Sequence, residues 1–216
     1  MKSQVTVHAD SGNAVLVIVD VQNEFCKPGG KLYAPDNAAS MSNVVLAIAG
    51  LAERARSAGV PVIYIQSVRT TEEPYFTVFG QSPILKTGTW ASEIVDELRP
   101  QGGDIVVQKF CHDPFYRADL DNVLRRLAPD PTRSYAIVAG GGANVCYYHA
   151  ILGLHVRDFW TIAPVDCIYS HSDADLAGAL EMLSQAAYPN VFLSRSDLIA
   201  LSAEKAGPAS LPLGRR

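Results

Sequence analysis

The sequence predicts an α/β fold: a doubly wound, mostly parallel sheet of about six strands, with helices on both faces in a three-layer sandwich. Short apolar runs alternate along the chain with longer periodic segments of helical length, which is typical of strands and crossover helices. The run at residues 14–21, AVLVIVDV, is almost continuously apolar, as expected of a strand covered on both faces. With 48% hydrophobic and 19% charged residues, the chain can form a sizeable core.

The predicted elements follow one another in a regular order. Strands are predicted at residues 14–21, 60–68, 104–108, 135–139, 159–163 and 191–193. Helices are predicted at residues 37–58, 92–98, 117–127, 146–156 and 173–187, the first of them capped by Gly59. The aromatic-rich residues 69–88 are expected to form a long functional loop, and residues 207–216 a loose tail. Because no repeat, linker or low-complexity segment interrupts residues 1–216, we predict a single domain.

Composition and charge exclude several classes of partner. The net charge is −4 and no basic run occurs, so nucleic acid is not expected as a partner. No apolar run reaches the roughly 18 residues of a membrane span, and the polar N-terminal segment lacks the apolar core of a signal peptide. These features predict a cytoplasmic protein that acts on a small molecule.

The four cysteines are widely spaced, and only Cys146 has a distinctive position. No C-x-x-C pair occurs, which disfavours zinc ribbons and thioredoxin-type redox sites. Cys146 follows a predicted strand and the glycines at 140–142, and it begins a predicted helix. A helix N-terminus stabilises a thiolate, and the free amides of such a turn can receive developing negative charge. Cys146 is therefore the candidate nucleophile.

Three polar residues lie where predicted strands end: Asp20, Lys109 and Cys146. Because ligands bind beyond the carboxyl ends of the strands in doubly wound sheets, we expect the three to converge there. Asp20 would act as general base for the thiol. Lys109 would keep Asp20 ionised and favour the thiolate of Cys146 by its positive charge.

Four segments of the chain resemble those of a known family. They are VIVDVQNEFCKPGG (17–30), GTWASEIVDELRPQGGDIVVQK (88–109), LDNVLR (120–125) and the glycine turn that runs to NVC (140–146). These motifs, with their ordered Asp, Lys and Cys, resemble the isochorismatase-like cysteine hydrolases, whose fold is a Rossmann-like sandwich. The family includes nicotinamidases, N-carbamoylsarcosine amidohydrolases, ureidoacrylate amidohydrolases and biuret hydrolases.

The resemblance implies a catalytic triad of Asp20, Lys109 and Cys146 without a cofactor. It also implies a cis peptide bond between Gly141 and Gly142, and an oxyanion hole formed by the N–H groups of Gly142 and Cys146. A homo-oligomer, dimer or tetramer, is expected from the same resemblance, with the aromatic residues at 75–79 as an apolar patch suited to an interface. Nicotinamidases of this superfamily bind a metal through histidines after the second strand. The corresponding segment here, residues 66–76, contains no histidine, so no metal is expected.

The segments that follow the lysine and the cysteine depart from the common family pattern. Phe110, Cys111 and His112 follow the lysine, and Tyr147, Tyr148 and His149 follow the nucleophile. Six residues are candidate substrate contacts: Phe25, Tyr33, Trp90, His112, Phe115 and Tyr147. Each of the five aromatic residues among them has core or interface packing as its alternative. Two other thiol sites are also considered, a dyad of Cys146 with His149 and a pair of Cys111 with His112.

The expected function is cysteine-dependent hydrolysis of a C–N bond in a small amide, carbamoyl or ureide substrate through a thioester. Alternatives are an isochorismatase-type vinyl-ether hydrolase, which does not need the cysteine, and a catalytically idle scaffold. A nucleotide-binding module is disfavoured because neither common phosphate-binding glycine motif occurs. A carboxylate substrate usually requires an arginine clamp, and the residues directly after Lys109 are Phe110, Cys111 and His112. A planar, uncharged substrate is therefore expected. Arg69 and Arg117 are the alternatives that would supply such a clamp.

Overall fold

The structure is a computed structural model that describes residues 4–34, 38–80 and 84–203, and within them a central sheet of six strands. The described strands are β1 (Val7–Asp10), β2 (Ala14–Val19), β3 (Val62–Ser67), β4 (Ile105–Lys109), β5 (Tyr135–Gly140), β6 (Trp160–Pro164), β7 (Val191–Ser194) and β8 (Ile199–Ser202). The central sheet has the order β4-β3-β2-β5-β6-β7, and each neighbouring pair in it is parallel. Strands β1 and β8 pair with each other in a separate small sheet.

Helices cover both faces of the central sheet. The described α-helices are α1 (Asn23–Cys26), α2 (Ala38–Ser57), α3 (Pro74–Thr77), α4 (Leu120–Leu127), α5 (Cys146–His155) and α6 (Asp173–Leu183). Helix α2 packs on one face, and helices α4, α5 and α6 contribute to the apolar cluster on the other. The doubly wound fold predicted from the sequence is confirmed. No helix in the described part of the chain combines the length and apolarity of a membrane span.

Strand β2 shows why the central strands are apolar along their whole length. Leu16 and Ile18 belong to the cluster under α2, whereas Val15, Val17 and Val19 belong to the cluster under α4 and α5. Successive side chains of a strand point to opposite faces, so a strand covered on both sides needs apolar residues at every position. All six residues of β2 are buried.

The strand order reverses between β2 and β5. From β2 the chain proceeds outward through β3 to β4, and it then returns to place β5 on the other side of β2 and continues outward to β7. Such a switch point opens a crevice at the carboxyl ends of the two central strands, since the connections leave in opposite directions. Asp20 follows β2, and the glycine turn that leads to Cys146 follows β5.

Several predicted boundaries differ from the structure. The helix expected at 92–98 consists of two short 3₁₀ turns, Trp90–Ser92 and Asp96–Leu98, separated by a bridge between Gln22 and Ile94. The helix expected from residue 117 begins at Leu120, because Arg117 has a φ of 53°. The helix expected to reach residue 187 ends at Leu183. Strands β1 and β8 were not predicted, and the expected loose tail at 207–216 lies outside the described residues.

Candidate active site

Asp20 lies directly beyond β2 and is 1% exposed. Its backbone adopts a φ of 53°, which turns the chain away from the sheet. Two hydrogen bonds fix this turn: the N–H of Asp20 donates to Ile65 O at 2.9 Å, and the hydroxyl of Tyr169 donates to Asp20 O at 2.6 Å. The carboxylate is therefore held at the switch point by contacts from both sides.

Lys109 is the last residue of β4, and its side chain is completely buried. Its Nζ lies 2.9 Å from Asp20 Oδ2, and 3.3 Å from Cys146 Sγ. Burial alone would lower the pKa of Lys109, but the negative charge of the Asp20 carboxylate opposes this effect, and the net direction of the pKa is upward. The ammonium group is thus kept charged between the base and the nucleophile.

Ser67, the last residue of β3, connects the two charged groups. Lys109 Nζ donates to Ser67 Oγ at 2.6 Å, and the hydroxyl of Ser67 donates to Asp20 Oδ1 at 2.9 Å. Lys109 also donates to the carbonyl of Cys111 at 3.1 Å. Each partner of the buried ion pair therefore has further polar contacts, as a desolvated pair requires.

Cys146 is the first residue of α5 and is 7% exposed. Burial and the carboxylate of Asp20 raise the pKa of its thiol to about 12, although Lys109 acts in the opposite direction. Lys109 favours the thiolate, as expected from the sequence, but burial and Asp20 outweigh it. Burial of the sulfur and the negative charge of Asp20 beside it thus both act against a free thiolate at Cys146.

The glycine turn between β5 and α5 is shaped by close contacts. Gly140 has a φ of 109°, and a Cβ there would lie 2.0 Å from Val19 O. A Cβ on Gly141 would lie 2.5 Å from the ring of Tyr169. The peptide bond between Gly141 and Gly142 is cis.

The expected oxyanion-hole amides lie in this turn and at the start of α5. Gly142 O accepts hydrogen bonds from the N–H groups of Val145 and Tyr147. The N–H groups of Gly142 and Cys146 themselves make no hydrogen bond to other residues that the structure describes. Free amides at the start of a helix are suited to bind a developing oxyanion.

The imidazole of His112 contacts the nucleophile. Its Nδ1 lies 3.4 Å from Cys146 Sγ. His149, which was considered as a dyad partner, is exposed and places its Nδ1 2.8 Å from Val145 O. The structure thus brings the histidine of the loop after β4, rather than that of helix α5, to the sulfur. Cys111 Sγ lies 3.4 Å from Asp113 O.

A cavity of about 380 Å³ opens above the sulfur. Its described lining combines catalytic candidates with apolar and cationic side chains: Asp20, Phe25, Leu32, Ser67, Arg69, Ile84, Leu85, His112, Gly142, Val145, Cys146 and His171. Phe25 and His112, both predicted to contact substrate, are among them. The volume suits a small molecule.

Tyr147 and Phe115, two other predicted substrate contacts, are placed away from this cavity. Tyr147 is fully buried and donates its hydroxyl to Val138 O at 2.9 Å, since this side of α5 faces the sheet. Phe115 packs against Gly153, where a Cβ would lie 2.2 Å from its ring. The guanidinium of Arg157 lies 3.8 Å from the centroid of the same ring. Packing therefore replaces the predicted substrate contact at both positions.

Trp90 and Tyr33 also lie outside the cavity lining. Trp90 is 49% exposed, and its ring approaches Gly29. Tyr33 is partly buried against the apolar cluster under α2. The sequence suggested these two aromatic residues by type alone, and both are used for packing near the loop that follows α1.

Arg69 and His171 also line the cavity, although neither is among the six substrate contacts predicted from the sequence. Arg69 is 7% exposed and forms an ion pair with Glu73 at 3.2 Å. It lies two residues beyond the end of β3, at the carboxyl edge where the triad candidates lie, and this position is the feature that could have selected it. Arg69 is one of the two alternative clamps expected from the sequence, whereas His171 has no comparable sequence feature. Arg117, the other alternative, is exposed and outside the lining.

No cluster of three or more His, Cys, Asp or Glu side chains with the geometry to hold a metal ion occurs among the described residues. All four cysteines are free, and three of them, Cys26, Cys146 and Cys167, are buried. Burial raises the pKa of Cys26 and of Cys167 to about 12. Of these buried thiols, Cys146 lines the cavity, whereas Cys26 and Cys167 do not.

A doubly wound parallel sheet with an Asp, Lys and Cys cluster at its switch point defines a protein of the cysteine hydrolase class. The isochorismatase domain model matches residues 14–191, which is most of the chain. The protein belongs to the isochorismatase family of hydrolases.

Relatives with assigned names agree with this membership. The chain is 29% identical over 231 aligned positions to the ureidoacrylate amidohydrolase RutB of Methylobacterium radiotolerans, covering 95% of this chain and 84% of that protein. It is 31% identical to the RutB of Pseudomonas savastanoi pv. phaseolicola, covering 70% of this chain and 69% of the relative. The match to the RutB of Caulobacter segnis is also 31% identical and spans 65% of each protein. These relatives are named for hydrolysis of a C–N bond.

Solved structures with the same fold include two at 26% identity. The N-carbamoylsarcosine amidase of Thermoplasma acidophilum superposes with a TM-score of 0.70, covering 86% of this chain and 97% of that one. A cysteine hydrolase from Pseudomonas syringae pv. phaseolicola superposes with a TM-score of 0.77, covering 91% and 94%.

Proposed function

We propose that this protein is a cysteine-dependent amidohydrolase that cleaves the C–N bond of a small carbamoyl, ureido or amide substrate through a thioester. One observation carries the proposal: Cys146 Sγ lies in a cavity, 3.3 Å from the ammonium of Lys109, which in turn contacts Asp20. The names of the amidohydrolase relatives support the same reaction class.

Acylation begins from the protonated thiol. As Sγ of Cys146 bonds to the substrate carbonyl carbon, its proton passes to the carboxylate of Asp20. The carbonyl oxygen becomes an oxyanion and is bound by the N–H groups of Gly142 and Cys146. Lys109 compensates the negative charge that moves from Asp20 to the reacting atoms. Concerted transfer is needed because a free thiolate is disfavoured in this desolvated site.

Collapse of the tetrahedral intermediate breaks the C–N bond. Asp20 returns its proton to the departing nitrogen, so that ammonia or an amine leaves as a neutral molecule. Cys146 then holds the acyl group as a thioester, and Asp20 is again a carboxylate. Attack by water on the thioester carbon releases the acid and restores the thiol.

The cavity lining bears on the charge of the substrate. Arg69 and His171 line the same cavity as Cys146, and a guanidinium binds a carboxylate with two parallel hydrogen bonds. We therefore propose a substrate that carries a carboxylate in addition to its carbamoyl or ureido group, instead of the uncharged amide expected from the sequence. Phe25, Leu32 and Leu85 supply apolar walls for its carbon skeleton.

An ammonia-release screen tests the proposed function. The panel contains carbamoyl amino acids, ureido acids, biuret, maleamate and nicotinamide, with Cys146→Ala as the blank. Turnover of at least one compound is expected for the wild type, with none for Cys146→Ala. Cys167→Ala is the matched control, because that buried thiol lies outside the cavity. Full activity in Cys146→Ala would contradict the proposal and favour a thiol-independent reaction such as vinyl-ether hydrolysis.

A further inference from the structure

His112 contacts the reacting sulfur but has no part in the acylation steps above. Its Nδ1 lies 3.4 Å from Cys146 Sγ, about the same distance as the ammonium of Lys109, at 3.3 Å. Unlike Lys109 and Asp20, which are 0% and 1% exposed, His112 is exposed at the cavity. The nucleophile therefore has a buried charged pair on one side and a solvent-accessible imidazole on another.

We propose that His112 is the general base that activates water for hydrolysis of the thioester on Cys146. This inference rests on the proposed function and adds a fourth catalytic residue to it. The buried pair serves acylation, in which the proton comes from the thiol. The second half of the reaction needs a base that faces the incoming water, and His112 occupies that position.

The surroundings of His112 keep its imidazole in the form that accepts a proton. Burial of part of the ring lowers its pKa, and the positive charges of Lys109 and Arg69 lower it further, as does His149. Asp20 is the negative group in this environment and acts in the opposite direction. Together these effects lower the pKa of His112 below its ordinary value, so the imidazole is largely a free base at neutral pH.

The proposed step balances in protons and bonds. A water oxygen bonds to the thioester carbon while Nδ1 of His112 takes one of its protons. The tetrahedral intermediate then loses the sulfur, and the imidazolium, which lies beside Sγ, gives that proton to it. The products are a carboxylic acid and the resting thiol, with His112 again neutral. The Nδ1 to Sγ contact is the path for this last proton.

The loop that carries His112 is held from several directions. The carbonyl of Cys111 accepts a hydrogen bond from Lys109 at 3.1 Å, and the carboxylate of Asp113 accepts one from the N–H of Phe115 at 2.8 Å. The ring of Phe115 occupies the space that Gly153 leaves on α5. These contacts connect the loop to the ion pair of Asp20 and Lys109 on one side and to helix α5, which carries the nucleophile, on the other.

The test uses 4-nitrophenyl acetate, an activated ester that the proposed Asp20-assisted acylation of Cys146 can attack whatever the natural substrate is. Wild type is expected to release a stoichiometric burst of nitrophenolate and then to turn over steadily. His112→Asn, which keeps a polar group near the Nδ1 position but cannot accept the proton, is expected to show the same burst and deacylation at least about 10²-fold slower. Peptide mass mapping should find the accumulated acetyl group on Cys146, and added imidazole should partly restore deacylation.

His8→Asn is the matched control, since His8 is an exposed histidine on β1 outside the cavity. His112→Gln serves as the second variant if His112→Asn does not fold. In wild type, deacylation should fall as the pH drops through the lowered pKa of His112, and this acid limb should be absent from the variants. Wild-type deacylation in His112→Asn, or loss of its burst, would overturn the inference alone. Failure of the wild type to become acetylated at Cys146 would instead overturn the proposed nucleophile and, with it, the inference.

Discussion

The hydroxyl of Ser67 donates a 2.9 Å hydrogen bond to Oδ1 of Asp20. Oγ of Ser67 in turn accepts a 2.6 Å hydrogen bond from Nζ of Lys109, so a neutral side chain joins the two charged groups of the site. Hydrogen bonds to charged groups contribute about 1.5–3 kcal/mol. Ser67 is therefore expected to position the carboxylate for proton transfer without itself taking part in chemistry.

Ser67→Ala should lower kcat by roughly 10- to 100-fold, in line with the loss of one such hydrogen bond. KM should change little, because the substrate is not expected to bind through Ser67. Ser67→Thr keeps the hydroxyl on a strand that accepts β-branched residues and should restore most of the rate. Steady-state kinetics with a melting curve for each variant check this, and an Ala variant with wild-type kcat would contradict the positioning role.

Asp20→Asn and Lys109→Met should each reduce turnover by about 10²–10⁴-fold, because the general base or its charge partner is removed. Lys109→Met should also destabilise the fold by about 3–5 kcal/mol, since it leaves a buried carboxylate without compensation. The double variant should regain stability but not activity. Denaturant unfolding of the three variants separates the effect on stability from the effect on turnover. If the changes in the free energy of unfolding of the two single variants simply added in the double variant, direct coupling of Asp20 and Lys109 would be contradicted.

Alkylation of Cys146 by iodoacetamide should be slow at neutral pH and should accelerate as the pH rises toward its pKa of about 12. Asp20→Asn removes a negative charge that raises this pKa, so alkylation of Cys146 at neutral pH should become faster even though turnover is lost. Lys109→Met should have the opposite effect on labelling. Mass mapping after limited labelling gives the rate for each cysteine. Equal alkylation rates of Cys146 in Asp20→Asn and Lys109→Met would show that these two charges do not control the pKa of the thiol.

Arg69→Ala should remove a preference for substrates that carry a carboxylate. We expect wild type to favour a carbamoyl amino acid over its neutral amide by more than about tenfold, or roughly 1.4 kcal/mol. Arg117→Ala is the matched control, because Arg117 is exposed and lies outside the cavity lining. Equal turnover of acid and amide by wild type would restore the uncharged substrate expected from the sequence.

The homo-oligomer expected from the family resemblance stays a prediction. Val78 and Phe79, at the end of the proposed interface segment 75–79, are 71% and 70% exposed, and the side chain of Tyr75 lies outside the described part. Light scattering at micromolar concentration should give at least twice the chain mass of 23.3 kDa. Phe79→Ser should lower that mass if this segment forms the contact, and a wild-type mass of about 23 kDa would refute the oligomer.

Features set by local pattern could be predicted from the sequence. The apolar run of β2, the glycine turn before Cys146 and the polar residues at strand ends each depend on neighbours along the chain. Parallel pairing then brings those strand ends together, so Asp20, Lys109 and Cys146 could be grouped without a structure. Ser67 ends β3 in the same way, and the rule that selected the other three applies to it as well.

Features set by burial and by distant contacts could not be predicted. Phe115 and Tyr147 are close in sequence to Lys109 and Cys146, but sequence proximity does not tell which face of an element a side chain occupies. The state of the Cys146 thiol depended on the balance between burial, Asp20 and Lys109, and this balance requires the three-dimensional arrangement. Strands β1 and β8 were missed because each is four residues long and pairs only with the far end of the chain.

The missing side chain at Gly153 gives helix α5 a second function. Its first residue is the nucleophile, and its third turn leaves the hollow that holds Phe115 and thereby the loop of His112. The nucleophile and the residue that holds the loop of His112 therefore lie on different turns of the same helix. A Cβ at residue 153 would lie 2.2 Å from the ring of Phe115, so a larger residue there must displace Phe115, which lies three residues after His112. A graded series of substitutions at this one position is thus a means to displace the loop of His112 from outside the cavity.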